Sequence, residues 1–177
     1  MKKLNRPLLQ RLIKLASEKL TGEWVLLGGT LLPYLGIEHR VTVDVDLVGL
    51  GKKERDQQLE LFQIAESLDL PIEIINPAAS FFLQSELKNK ASLVLLRKTA
   101  NCKIYRPDGT LYLLLKLRRF TESDFSDCAE MLRYCRSIHE KVDVKLIKSR
   151  IRKIIKEESN SNKINRLKNF LSELEGY

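Results

Sequence analysis

Cysteine and histidine are scarce in this sequence, and long apolar runs are missing. The three cysteines cannot all pair within one chain, none lies in a Cys-x-x-Cys arrangement, and the two histidines lack the spacing of zinc ligands. We therefore predict no zinc or redox site and interpret the cysteines as core residues. No segment supplies the roughly 18 apolar residues of a membrane span, and the N-terminus has the pattern of an amphipathic helix, not of a secretory signal. A soluble, cytoplasmic protein without membrane contact is expected.

The remaining composition is that of a folded protein with a basic surface. Hydrophobic residues make up 44% of the 177 residues and charged residues 31%, which is enough apolar material for a core. The net charge of +8 is concentrated in residues 101–177. Such a surface attracts nucleoside triphosphates or nucleic acid, and a solvated, lysine-rich helical surface is the alternative interpretation.

Hydrophobic periodicity predicts both helices and strands, and we expect an α+β fold in which a small mixed sheet is flanked by helices and a helical extension follows at the C-terminus. We predict an α/β core with its N-terminal helix in residues 1–108 and a helical region packed on that core in residues 109–177. The predicted elements of the core are the N-terminal helix, strands at 24–27, 41–48 and 72–75, helices at 30–35 and 53–68, and a hairpin between 93 and 105. In the second region Ser123 is the predicted cap of a helix over 125–135, and a strongly basic helix begins near Val142.

Asp44 and Asp46 point to one face of the predicted strand at 41–48, where their charges would repel by roughly 4 kcal/mol at about 4 Å with an effective dielectric near 20. Solvent can offset this repulsion, and so can divalent cations such as Mg²⁺. Their position after Gly28-Gly29 favours the second interpretation. Two glycines permit close approach of backbone N–H groups to a phosphate, and Thr30, at a helix start, can donate its hydroxyl to a phosphate oxygen.

On these residues the sequence resembles the nucleotidyltransferase superfamily of DNA polymerase beta. The family motif is Gly-Gly, then Ser or Thr, then Asp-x-Asp, then an acidic residue on a later strand. The matching positions here are Gly28, Gly29, Thr30, Asp44, Asp46 and Glu73. The run GGTLLPYLGIEHRVTVDVDL is similar to bacterial and archaeal nucleotidyltransferases of toxin–antitoxin and abortive-infection systems, where Arg40 and Thr42 match an Arg-x-Thr-x-Asp-x-Asp pattern.

A fainter likeness continues to about residue 136. The run LYLLLKLRRFTESDFSDCAEML is similar to the helical stretch in which such proteins carry a lysine followed by acidic residues at the next helix start. By this likeness Lys116 would reach the triphosphate. Asp124 and Asp127 would hold the loop or the lysine in place, or are ordinary acidic residues at a helix start.

The resemblance implies metal-dependent transfer of a nucleoside monophosphate from a nucleoside triphosphate to an acceptor hydroxyl. It implies that Asp44 and Asp46 bind Mg²⁺ or Mn²⁺, with Glu73 sharing one ion. The residues expected to bind the nucleotide phosphates are Gly28, Gly29, Thr30, Arg40 and Lys116.

The acceptor stays open in the sequence. It could be RNA or tRNA, a hydroxyl on a protein, or a small molecule such as an aminoglycoside, and the basic helix near residues 145–156 favours RNA. The alternative function is that of a catalytically inactive protein of this fold that binds nucleotide, RNA or a protein partner. In either case a cognate antitoxin is an expected partner if the chain belongs to a toxin–antitoxin pair.

Overall fold

The computed structural model describes residues 4–76, 79–87 and 92–177. The chain divides into two compact units, unit 1 (Met1–Pro107) and unit 2 (Asp108–Tyr177). Unit 1 combines helices with a mixed sheet, whereas unit 2, which the structure describes throughout, is helical. This is the predicted α+β class with a helical C-terminal region. In the described part of the chain, no helix has the length and apolar character needed to cross a membrane.

Unit 1 is built on a four-stranded sheet. Its elements are α1 (Arg6–Lys19), β1 (Gly22–Leu26), α2 (Leu31–Leu35), β2 (Leu47–Gly49), α3 (Lys52–Arg55), α4 (Gln58–Glu66), a 3-10 turn (Ile72–Ile74), α5 (Ala79–Glu86), β3 (Leu93–Lys98) and β4 (Cys102–Pro107). The strand order is β2-β1-β4-β3, with β1 parallel to β4 and the other two pairs antiparallel. The central strand β1 carries the buried side chains of Trp24, Val25 and Leu26, so the loop that follows it starts from a fixed point in the core.

The strand predicted at residues 41–48 is wrong for most of its length. The ladder covers only β2, and Val45 adds one isolated parallel bridge to Ile75. Val41 and Val43 are 59% and 40% exposed, whereas Val45 and Leu47 are buried. The ladder stops because β1, its neighbour, has already turned into the loop and α2 at this level, so no strand is there to pair with.

Two other predicted elements of unit 1 also differ. The strand predicted at residues 72–75 is a 3-10 turn, in which the N–H of Ile74 donates to the Pro71 carbonyl at 3.2 Å and that of Ile75 to the Ile72 carbonyl at 3.1 Å. Alternation of isoleucine and glutamate over so few residues fits either structure, and the i to i+3 bonds decide for the turn. The helix predicted at residues 53–68 is divided into α3 and α4.

Unit 2 consists of α6 (Gly109–Leu117), α7 (Glu122–Ser137), α8 (Val144–Glu157), α9 (Ser161–Glu173) and a final 3-10 turn (Leu174–Gly176). Its core contains three aromatic rings, those of Phe120, Phe125 and Phe170, whose centroids lie 5.4 to 6.1 Å apart. The cap of α7 is Thr121 and not Ser123. The Thr121 side chain accepts from the Asp124 N–H and the Asp124 carboxylate accepts from the Thr121 N–H, which is a capping box.

Candidate functional site

The loop after β1 is in direct contact with two of the predicted site residues. Gly28 has a φ of +64°, and a Cβ at this position would overlap the carboxylate of Asp46. A Cβ on Gly29 would overlap the guanidinium of Arg40 and would lie 3.4 Å from the Thr42 hydroxyl oxygen. Gly28 therefore needs glycine, whereas at Gly29 the flexible Arg40 side chain can move aside. The two glycines bring the loop backbone against one carboxylate and one cation.

Two hydrogen bonds fasten the aspartate segment to this loop. The Leu27 N–H donates to the Asp46 carbonyl at 2.7 Å, and the Thr30 hydroxyl donates to the Asp44 carbonyl. Thr30 is completely buried. We expected this hydroxyl to donate to a phosphate; in the structure its proton instead joins the start of α2 to the backbone between the two aspartates. The distance between loop and carboxylates is thus fixed by backbone geometry.

Asp46 has a further partner that the sequence did not disclose. The Asn76 side-chain amide donates to Asp46 Oδ1 at 2.7 Å. The backbone places Asn76 there, because its N–H donates to the Val45 carbonyl at 3.1 Å while the Val45 N–H donates to the Ile74 carbonyl at 2.6 Å. The only sequence signal was a polar amide directly after a short apolar run, and that signal is common to many turns.

The two aspartates are presented differently to solvent. Asp44 is exposed and Asp46 is half-buried between the loop and Asn76. One or two carboxylates completed by water and substrate phosphates are the usual protein ligands of Mg²⁺, so this pair fits such an ion. Glu73 lies exposed in the 3-10 turn. Within the described residues no three His, Cys, Asp or Glu side chains are grouped for one metal ion, and Glu73 as a third ligand stays a prediction.

Lys116 belongs to unit 2, where it forms a buried ionic cluster. Its Nζ lies 3.1 Å from Asp124 Oδ1 and 2.7 Å from Asp127 Oδ2, and both carboxylates are buried. Arg119 donates to both oxygens of Asp124, at 2.9 and 3.1 Å. The lysine charge is thus compensated by carboxylates inside the helical unit.

The same contacts set the protonation state of Asp124. Burial alone would raise the pKa of this carboxyl group. Hydrogen bonds from Arg119 and the charge of Lys116 outweigh burial and hold the pKa well below its usual value. Asp124 therefore stays ionised at neutral pH, which the neutralisation of Lys116 requires.

No family model, no curated protein and no solved structure matches this chain. The features of this chain that indicate a function are its sequence motifs and the geometry of the Gly28 loop and the aspartates.

Proposed function

We propose that this protein is a metal-dependent nucleotidyltransferase, which moves a nucleoside monophosphate from a nucleoside triphosphate to a hydroxyl acceptor. One observation carries the proposal: the Gly28-Gly29 loop lies directly against the Asp46 carboxylate and the Arg40 guanidinium. A phosphate bound by the loop would therefore meet both a metal-binding carboxylate and a positive charge. The resemblance of residues 24–47 to the nucleotidyltransferase superfamily of DNA polymerase beta supports the same assignment.

We assign metal binding, carboxylate orientation and charge neutralisation to different residues of the site. Asp44 and Asp46 would hold Mg²⁺ or Mn²⁺ together with oxygens of the triphosphate. When bound, the ion supplies charge neutralisation for the leaving group and acidifies the acceptor hydroxyl. Asn76 fixes the orientation of Asp46 through its bond to Oδ1. Arg40, beside Gly29, places a guanidinium where charge develops on the phosphoryl oxygens.

The proposed reaction is a displacement at the α-phosphorus. The acceptor oxygen forms a bond to this phosphorus as the bond to the bridging oxygen of the β-phosphate breaks, and pyrophosphate leaves with that electron pair. The acceptor hydroxyl loses its proton to water. A fixed loop and fixed carboxylates contribute mainly by holding the reactants in line.

The test measures binding and transfer with the same nucleotides. Each nucleoside triphosphate, labelled on the α- or the γ-phosphate, is titrated with Mg²⁺ or Mn²⁺ against wild type and Asp44→Asn/Asp46→Asn, and transfer to bulk RNA and protein is then followed. Asp56→Asn/Asp69→Asn is the matched control, because it removes two exposed carboxylates from the same unit. We expect metal-dependent binding and transfer of the α-label only, both lost in the site variant and kept in the control.

Three other results would contradict the proposal. Absence of metal-dependent binding for every nucleotide would exclude a triphosphate site. Transfer of the γ-label would indicate a kinase, because that phosphate leaves with pyrophosphate in nucleotidyl transfer. Equal loss of binding in both variants would mean that the aspartates act only through net charge.

A catalytically inactive nucleotide-binding protein is the second candidate. It is favoured by the lack, among the described residues, of a group of three acidic, histidine or cysteine side chains that could hold one metal ion; Glu73 itself lies exposed in the 3-10 turn. Without a third carboxylate, activation of the acceptor would be weaker. This candidate predicts metal-dependent binding that Asp44→Asn/Asp46→Asn abolishes, with no transfer of label to any acceptor.

A further inference from the structure

Helix α8 presents a stripe of cations on its outer face. The stripe consists of Lys145, Lys148, Arg152 and Lys156, which recur at spacings of three or four residues and so follow one side of the helix. With a rise of 1.5 Å per residue the stripe is about 16 Å long. Three of the four side chains are exposed and Lys148 is half-buried. We call this set the α8 stripe.

Acidic residues do little to neutralise the stripe from within α8. The helix sequence VKLIKSRIRKIIKE contains six basic residues and a single acidic one. That residue, Glu157, makes its ion pair with Lys153 at 4.0 Å, and the adjacent Glu158 pairs with Lys163 at 2.8 Å. The α8 stripe is therefore a linear, concentrated positive charge.

Exposed polar side chains continue the surface where α8 ends. Glu158, Ser159 and Asn160 connect α8 to α9, and Ser159, Asn160 and the first two residues of α9, Ser161 and Asn162, are exposed. Serine and asparagine side chains are common partners of phosphate oxygens in nucleic-acid complexes. Basic stripe and polar turn together form one surface suited to a chain of phosphates.

The opposite, apolar face of α8 is buried, which argues against a membrane as the binding partner of the stripe. Ile147 and Ile151 are fully buried in the core of unit 2. A basic amphipathic helix that binds a membrane inserts its apolar face between lipids, and this face is already used. An acidic protein partner is also disfavoured, since protein interfaces are anchored by aromatic side chains and neither α8 nor the turn contains one.

We propose that the α8 stripe binds the phosphate backbone of an RNA strand, which is the acceptor of the proposed nucleotidyl transfer. A nucleic-acid strand carries about one phosphate per 3.4 Å of helix axis, so roughly five phosphates span the stripe. The choice of RNA as acceptor rests on the proposed function, whereas the phosphate-binding surface rests on α8 alone. Contacts of this kind give affinity without base specificity.

The test is fluorescence anisotropy of a labelled 20-nucleotide RNA, without nucleoside triphosphate, over a range of KCl concentrations. The stripe variant is K145Q/K148Q/R152Q/K156Q. The charge-matched control, R11Q/K14Q/K19Q/K98Q, removes four exposed cations from unit 1. Four phosphate contacts to a single strand predict a slope of log K against log salt of about −3 for wild type. We expect the stripe variant to lose at least about tenfold in affinity at low salt and to flatten the slope, while the control keeps both.

Two results would overturn the inference. One is an equal loss of RNA affinity in stripe variant and control, which would show a response to net charge alone. The other is competition by poly-glutamate as effective as that by unlabelled RNA, which would indicate an acidic protein partner. Helical circular dichroism verifies that both variants are folded. This binding assay contains no nucleoside triphosphate, so it tests the α8 stripe independently of the proposed enzyme activity. If RNA binding depends on the stripe but no nucleotide is transferred, the RNA-binding surface is supported and the nucleotidyltransferase proposal is contradicted.

Discussion

At the scale of single residues, the Asp46 carboxylate lies where a side chain at position 28 would be, so this position requires glycine. The positive φ of Gly28 costs little for glycine and about 1 kcal/mol or more for other residues. Its contact with the carboxylate adds a second reason, independent of φ. The glycine requirement here comes from the carboxylate that the loop holds.

We expect Gly28→Ala to destabilise unit 1 by about 1 to 3 kcal/mol, because a left-handed backbone and a displaced Asp46 both follow from the added methyl group. Metal-dependent nucleotide binding should fall by more than about tenfold, since Asp46 can no longer keep its position. Urea unfolding followed by fluorescence of Trp24, the single tryptophan, reports on unit 1 directly.

Gly176→Ala is the control for that substitution. A Cβ on Gly176 meets no atom within 4 Å, so the change should alter stability by less than about 0.5 kcal/mol. If Gly28→Ala were as neutral as Gly176→Ala, the close contact between loop and carboxylate would be wrong.

Residue types alone predicted part of the candidate site. Gly28, Gly29 and Asp46 were identified because a glycine pair and two aspartates at i and i+2 have few local uses. Asn76 was missed since its role depends on a backbone bridge between segments 30 residues apart. Single-sequence patterns carry no information on such a pairing.

At the scale of elements, the strand predicted at residues 41–48 is mostly wrong, whereas the basic helix predicted to begin near Val142 is confirmed. The apolar periodicity of α8 spans 14 residues, and the backbone hydrogen bonds of a helix form within the helix itself. A strand needs a neighbour, and the alternating pattern at residues 41–48 continues past the end of β1. The length of β2 is therefore limited by its partner and not by its own sequence.

The connection from α6 to α7 depends on the buried cluster of Lys116, Asp124 and Asp127. We expect Lys116→Met to destabilise unit 2 by about 3 to 5 kcal/mol, because the buried Asp127 carboxylate loses its ion pair with Lys116 and Asp124 keeps only that with Arg119. Adding Asp127→Asn to this variant should recover part of the loss, since the uncompensated charge is then gone. Urea unfolding followed by helical circular dichroism measures both.

Arg119→Met is the matched control. Arg119 contacts the same Asp124 but its side chain is 72% exposed, so its removal should cost no more than about 1 kcal/mol. Equal effects of the two substitutions would mean that burial of the lysine does not strengthen its pairing.

At the scale of the whole molecule, the two units carry separate spectroscopic and chemical reporters. Cys102 lies in unit 1, and Cys128 and Cys135 lie in unit 2. Burial raises the pKa of Cys102 to about 11, and the charge of Glu54 adds to the increase. Burial also raises the pKa of Cys128 well above its usual value. The thiols of Cys102 and Cys128 are thus protonated in the folded protein, and all three thiols are buried.

We expect all three thiols to react with a maleimide or disulfide reagent at pH 8 at least about a thousandfold more slowly than a free cysteine, because labelling requires opening of the fold. In increasing urea, labelling of Cys102 should follow the fluorescence of Trp24, while Cys128 and Cys135 should label together. Mass spectrometry of the labelled peptides assigns each thiol. Rapid labelling of any of them without urea would contradict its burial.

The short span of chain that builds the loop and carboxylates has a consequence for the order of folding. The pieces that meet at the loop, from Gly28 to Asp46, are close in sequence, whereas the parallel pairing of β1 with β4 joins Gly22 to Cys102. Closing a short loop costs less chain entropy than closing a long one, so nearby segments associate sooner. During synthesis the aspartates can therefore contact the glycine loop while β4 is still within the ribosome. The later pairing of β1 with β4 then stabilises a contact that has already formed.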